Sequence, residues 1–283
     1  LKSFLEIDPA ESRFSSSKIV VLPVPYEGTT TYGKGTKNGP SAILKASQIV
    51  EDYDIELGFE PYKKVGGIHT AKPVNVSKDP HSQIYKAVKN VIAEKKIPVM
   101  LGGEHSVSYG AVKAAKEYYP GLSVLQFDAH ADLRDTYHGS EHNHACVMRR
   151  IRAMCPAVQV GIRSQDTEET EYIKNNDLAG SMFYAHDHEV SSVPDIVNQL
   201  SKDVYITIDV DAFDPSVIPA TGTPEPGGLL WYQVLEILKA VIAERNIVGV
   251  DVVELAPRRD LHYADYTIAK LVYKIIGYIS LKF

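Results

Sequence analysis

Residues 122–132 read LSVLQFDAHAD, a short apolar run that ends by delivering Asp128, His130 and Asp132 at alternate positions. A run of this length reads as a strand covered on both faces, and the C-terminal lip of such a strand is where parallel sheets carry their chemistry. A second run, Val204 to Ile208, ends the same way in Asp209-Val210-Asp211. In an extended chain residues i and i+2 share a face roughly 6 to 7 Å apart. Two lips of that kind predict a hydrolytic site for two cations about 3.5 to 4 Å apart.

The rest of the chain suits such a sheet. Its 283 residues are 44% hydrophobic and 23% charged, ordinary for a soluble globular protein with a substantial core, and a single domain over 1–283 is the economical expectation. No apolar run reaches the roughly 18 residues of a membrane span, and the first residues lack the apolar core of a signal peptide, so a cytoplasmic protein is expected. Cys146 and Cys155 are too few for a disulfide framework and read as reduced structural thiols. The formal charge of −6, without a Lys/Arg stripe, argues against nucleic acid and is compatible with a cationic small substrate.

Apolar runs alternate with amphipathic stretches, the pattern of helices packed on a mainly parallel sheet. Strands are predicted at 18–24, 64–68, 97–101, 158–162, 182–185 and 247–253, and helices at 41–50, 79–95, 106–119, 146–154, 229–245 and 266–279. The loop PYEGTTTYGKGTKNGP (25–40) reads equally as a surface connection or a pocket wall. DPSVIPATGTPEPGGL (214–229) is dense in Pro and Gly, hence stiff and ordered around something. Gly102-Gly103 permits a tight turn that places His105 near a strand end. His186-Asp187-His188 reads as a solvated loop.

Collected at the lips are His105, Asp128, His130, Asp132, Asp209 and Asp211. Four carboxylates and two imidazoles suit a pair of divalent first-row cations, and the oxygen-rich mixture leans toward Mn²⁺. A water shared by two such cations is acidified from a pKa near 15.7 toward about 7. Glu254 ends the last strong strand, again at a C-terminal lip.

The set GGEHS at 102–106, DAHAD at 128–132, IDVDAFDP at 208–215 and VELAP at 253–257 resembles the ureohydrolase family, which includes arginase and agmatinase. The resemblance implies a three-layer α/β/α fold with a mainly parallel eight-stranded sheet, and hydrolysis of a guanidinium group to urea and an amine at two Mn²⁺ per subunit. It implies that His105, Asp128, Asp132 and Asp209 hold one metal and His130, Asp128, Asp209 and Asp211 the other, with Asp128 and Asp209 bridging. By the same resemblance Glu254 pairs with the substrate guanidinium, and His144 is the proton shuttle; His142 competes for that role, while His138 reads as solvated. Leu133-Arg134-Asp135-Thr136-Tyr137 follows Asp132 in agmatinase-like fashion, without the asparagine that greets an amino-acid carboxylate in arginase-like members. That points to agmatine, or an aminopropyl-extended relative, giving putrescine-type products. Guanidinobutyrate, arginine and formiminoglutamate remain open, as does a single-zinc deacetylase on a related fold. Asp166 is expected either to meet the distal amine or to cap a helix. Homo-oligomers, trimers or hexamers, are what the resemblance implies.

Overall fold

The computed structural model describes residues 3–187 and 192–283. Eight strands form one sheet: β1 (Ile19–Val24), β2 (Ile68–Thr70), β3 (Ile97–Gly102), β4 (Ser123–Phe127), β5 (Ala157–Ile162), β6 (Met182–Tyr184), β7 (Asp203–Asp209) and β8 (Asn246–Val253). Their order is β2-β1-β3-β8-β7-β4-β5-β6, and every pairing is parallel.

Parallel pairing forces crossovers, and the helices that make them cover both faces. One face packs on α1 (Gly39–Ser47), α7 (Val193–Gln199), α8 (Trp231–Glu244) and α9 (His262–Ser280); the other packs on α3 (Pro80–Ala93), α4 (Ser108–Tyr118), α5 (Val147–Arg152) and α6 (Thr167–Asn175). The alternation within a strand assigns each residue its face: in β7, Val204, Ile206 and Ile208 join the first core and Tyr205 the second. Local signals set the helix starts. Asp79 accepts from Ser82 N ahead of Pro80, and Asp166 and Glu169 form a reciprocal capping box at the head of α6.

The strand expected over 64–68 is replaced by a one-turn helix, α2 (Pro61–Lys64), with the pairing delayed to β2. Gly66 and Gly67 cause the shift. Both have positive φ, and a Cβ on Gly67 would stand 1.6 Å from the Glu11 carbonyl oxygen, so the chain turns there before it can pair. The seven-residue α7 forms where the sequence patterning predicts no helix.

The order of strands carries the functional consequence. After β3 the chain skips two positions to lay down β4, and β7 and β8 later fill the gap. The C-terminal ends of β3, β8, β7 and β4 therefore stand side by side, although they lie as far apart in sequence as residues 102 and 253. Such a reversal of strand order opens the crevice in which doubly wound sheets bind ligands.

Candidate metal centre

His105 enters this crevice on a short turn after Gly102-Gly103. A side chain at Gly103 would run into the Tyr26 carbonyl at 1.9 Å, so only glycine allows the two segments to approach. The Nδ1 atom of His105 lies 3.0 Å from Asp128 Oδ2, 3.1 Å from Asp132 Oδ2 and 3.4 Å from Asp209 Oδ2. His130 Nδ1 lies 3.0 Å from Asp211 Oδ2 and 3.7 Å from Asp128 Oδ1. Two triads thus have donor atoms close enough to share one ion each, His105–Asp128–Asp132 and Asp128–His130–Asp211, and Asp128 belongs to both. Asp209 adjoins the first through His105.

The residues converge, but not by the extended geometry expected of them. β4 ends at Phe127, before Asp128, and Val210–Ala212 is a 3-10 turn rather than strand. Asp128 Oδ1 accepts from His130 N at 2.7 Å, and Asp209 Oδ1 accepts from Asp211 N at 2.9 Å. Each i, i+2 pair is therefore closed by an Asx turn, in which the aspartate bonds its own backbone two residues on. Asp132 adopts φ 54°, a left-handed conformation that aspartate tolerates better than most side chains.

Crowding perturbs every ionisable group here. Burial raises Asp132 to about 7 with help from the Asp128 charge, and burial beside Asp211 and Asp128 pushes Asp209 well above its ordinary range. Asp211 is raised by burial and by Asp128. Asp128 is also buried, yet His105 and His130 together drive it down. Burial would depress the imidazoles, but the carboxylates win: His105 is raised well above the usual range and His130 to about 12. By themselves, then, the protein groups must hold extra protons to lie so close together. Two divalent cations would balance the four carboxylates without them.

The wiring behind His105 fits that use. His105 Nε2 lies 2.9 Å from Thr207 Oγ1, and the threonine hydroxyl donates to Asp251 Oδ1 at 2.6 Å. With its single hydrogen committed to Asp251, Thr207 accepts from His105 Nε2–H, so that once the ring gives up its extra proton the lone pair is on Nδ1. That Nδ1 is fully buried with no hydrogen-bond partner, and it faces three carboxylate oxygens. An orphaned lone pair in a ring of anions is a metal ligand's position. Asp128 is braced in turn: Gln126 Nε2 donates to its Oδ2 at 2.6 Å, Gln159 Nε2 donates to Gln126 Oε1, and Arg152 Nε donates to Gln159 Oε1.

A cavity of about 190 Å³ opens onto the two triads and is lined also by Glu254, His144, Arg134, Tyr137 and residues Thr30–Gly33. Glu254 is buried in left-handed backbone (φ 65°), a costly conformation for glutamate, and its Oε1 accepts from His105 N at 2.8 Å. Burial and the neighbouring Glu104 charge raise it well above the carboxylate range, a penalty that a bound cationic group would relieve. His144 lines the cavity and is lowered by burial against the opposing pull of Glu104. His142 instead packs on His81 and Tyr109, each at 5.2 Å between ring centroids, and His138 packs on Tyr137. Asp166 does not line the cavity; it caps α6 and pairs with Arg134, so the arginine and not the aspartate faces the substrate space. His186 is exposed, and His188 lies outside the described residues.

The family model described as "Arginase family" matches residues 17–277. The chain belongs to the arginase family. Among relatives in that family, it is 37% identical to the N(1)-aminopropylagmatine ureohydrolase of Synechocystis sp., over 98% of this chain and 94% of that protein. It is also 37% identical to the agmatinase of Pyrococcus horikoshii, over 91% and 90% respectively. The crystal structure of agmatine ureohydrolase of Thermoplasma volcanium superposes with a TM-score of 0.85 at 29% identity, covering 99% of this chain and 94% of that one. This arginase-family protein is accordingly an agmatinase-like ureohydrolase, a hydrolase of guanidino compounds.

Several groups that hold this arginase-family site together went unassigned from sequence. Gln126, Gln159, Thr207 and Asp251 are fully buried polar residues inside otherwise apolar strands, and that interruption is the signal that could have found them. Thr29 and Glu104 gave no such signal, since both lie in loops. Arg163 donates to the carbonyls of Gly161, Asp211 and Glu225, fixing the Asp211 turn against the Pro/Gly-rich loop. The two cysteines are free and buried.

Proposed function

We propose that the protein hydrolyses agmatine, or its aminopropyl-extended derivative, to urea and the corresponding amine, with two Mn²⁺ held by the residues named above. The observation that carries this reading is the position of Glu254: a buried carboxylate opening onto the same cavity as the two cation triads. A planar guanidinium can engage such a carboxylate through two N–H groups, which fixes its carbon relative to the triads. In this reading His105, Asp128, Asp132 and Asp209 hold one cation, and His130, Asp128, Asp209 and Asp211 hold the other. The bound cations would supply a water acidic enough to act near pH 7. His144 takes up a proton during attack and returns it to the departing amine, and its lowered pKa suits the base role.

The cavity's small volume supports a thin, linear substrate. Two features bear on its tail. Arg134 would attract a substrate carboxylate, but it is already paired with Asp166. Glu225, whose Oε1 stands 3.9 Å from His130 Nε2, holds a partly exposed carboxylate beside that imidazole, on a segment flanked by Pro224 and Pro226 whose carbonyls Arg163 grips. An anion there suits a substrate ending in an amine, and several relatives are named for the aminopropyl derivative. We further propose a homo-oligomer, a trimer or hexamer, acting in the cytoplasm; no helix among the described residues is long and apolar enough to cross a membrane.

Urea release from Mn²⁺-loaded protein tests the reading. Agmatine and aminopropylagmatine should be turned over well, and arginine and guanidinobutyrate poorly. Preference for either carboxylate-bearing compound would refute the substrate assignment.

A further inference from the structure

Thr29, in the loop between β1 and α1, stands between Glu104 and His144 and touches both. Its Oγ1 lies 2.7 Å from Glu104 Oε1, 3.0 Å from His144 N and 3.1 Å from His144 Nδ1. A hydroxyl has one hydrogen to give and two lone pairs with which to accept. The backbone N–H of His144 can only donate, so it takes one lone pair. Glu104 is an acceptor here: its two oxygens also receive the N–H groups of Gly28 and Thr29, at 2.7 and 2.6 Å, and the Ser106 hydroxyl at 2.6 Å. The threonine hydrogen therefore goes to Glu104. If it pointed at the imidazole instead, Oγ1 and Oε1 would face each other at 2.7 Å with no hydrogen between them. One lone pair of Thr29 is left, and the Nδ1 contact is a hydrogen bond only when Nδ1 carries the proton.

We propose that Thr29 and Glu104 are positioning residues that lock neutral His144 as its Nδ1–H tautomer, making Nε2 the nitrogen that accepts and returns the proton of the reaction. This rests on the reading of His144 as the proton shuttle. Nδ1 is tied to the loop while the ring lines the cavity, so Nε2 is the end left for substrate. When Nε2 takes a proton, the ring's positive charge strengthens the Nδ1–H bond to Thr29, and the chain through Thr29 to Glu104 steadies the charged imidazole. The arrangement parallels the carboxylate that orients a catalytic histidine in hydrolytic triads, with a hydroxyl interposed. It also gives the Gly/Thr-rich loop a task beyond walling the cavity, because Thr29 reaches His144 while Thr30 and Thr31 face the substrate space.

The test combines kinetics with a direct view of the proton. Thr29→Val keeps the shape of the side chain and removes the hydroxyl; kcat with the preferred guanidinium substrate should fall about 10- to 100-fold, part of the range for acid–base catalysis. KM should move less than about threefold and Mn²⁺ content should not change. Thr29→Ser should recover most of the loss, and Thr29→Val added to His144→Ala should cost nothing further. If His144→Ala lowers kcat while Thr29→Val does not, the lock is refuted and the shuttle stands. If His144→Ala leaves kcat intact, the shuttle reading fails and the lock falls with it. Equal further loss in the double variant would mean that Thr29 acts through the loop's structure, and would also refute the lock. Neutron diffraction from the Mn²⁺-loaded wild type at pD 8.5 is independent of any variant's folding: deuterium on Nδ1 alone is expected, and deuterium on Nε2 overturns the proposal.

Discussion

Replacing Thr207 with valine isolates the hydroxyl that sits behind the imidazole of His105, one of the proposed metal ligands. Valine nearly matches threonine in shape, so no cavity opens, and the change is confined to hydrogen bonds. Thr207 Oγ1 meets His105 Nε2 at 2.9 Å, Asp251 Oδ1 at 2.6 Å and Ser108 Oγ at 3.2 Å. Without the hydroxyl, Asp251 keeps Ser108 at 3.0 Å and Tyr205 at 2.8 Å, so the carboxylate stays satisfied. His105 does not: its Nε2–H is left without an acceptor in a fully buried position. An orphaned buried donor costs about 1 to 3 kcal/mol. Losing the partner behind a ligating histidine weakens metal binding about 10- to 100-fold, or about 1.4 to 2.7 kcal/mol. Calorimetric titration of Mn²⁺ into metal-stripped protein should show that loss in the site containing His105, and the site of His130 and Asp211, which Thr207 does not touch, should keep its affinity. Thr207→Ser should restore the first site. Full affinity at both sites in Thr207→Val would refute the reasoning, because the ring would then be held and tuned by something else.

Two further outcomes follow from the same charges. In metal-stripped protein the folded state favours protonated Asp132, raised to about 7 by burial and Asp128 from an ordinary 3.8, and protonated His130, raised to about 12 by Asp211 and Asp128 despite burial. The Asp132 contribution is complete below about pH 4 and gone above about pH 7; that of His130 is complete below 6.5 and lost as pH rises toward 12. Stripped protein should therefore melt at lower temperature at pH 9 than at pH 5, and the gap to Mn²⁺-loaded protein should widen with pH; a constant gap by differential scanning fluorimetry would count against displacement of protons by cations. Glu225→Gln should raise KM for aminopropylagmatine by about 2- to 5-fold, as expected of a partly exposed charge pair worth up to about 1 kcal/mol, with little change in kcat; equal KM values for variant and wild type would remove Glu225 from substrate recognition.

The sequence alone was enough for the parallel sheet, the six residues that converge in its crevice and the glutamate at the last strand's end, for a physical reason. Strands buried on both faces are written as local apolar runs, so a carboxylate or imidazole where such a run stops stands out. It gave the wrong local geometry for those residues, because alternation in a strand and an Asx turn both place i and i+2 together, and only the backbone of Asp128–His130 and Asp209–Asp211 distinguishes them. His142 and His144 could be separated only in three dimensions: two residues apart in one polar loop, they diverge because Thr29 draws one ring into the cavity while His81 and Tyr109 hold the other outside it. Asp166 likewise carried two readings until the fold set Arg134 beside it. What the tertiary structure decided throughout is partnership between residues dozens to more than a hundred positions apart, such as Thr207 with His105 and Thr29 with His144. Sequence spacing is blind to such pairs, because they are made by the order in which strands are laid into the sheet.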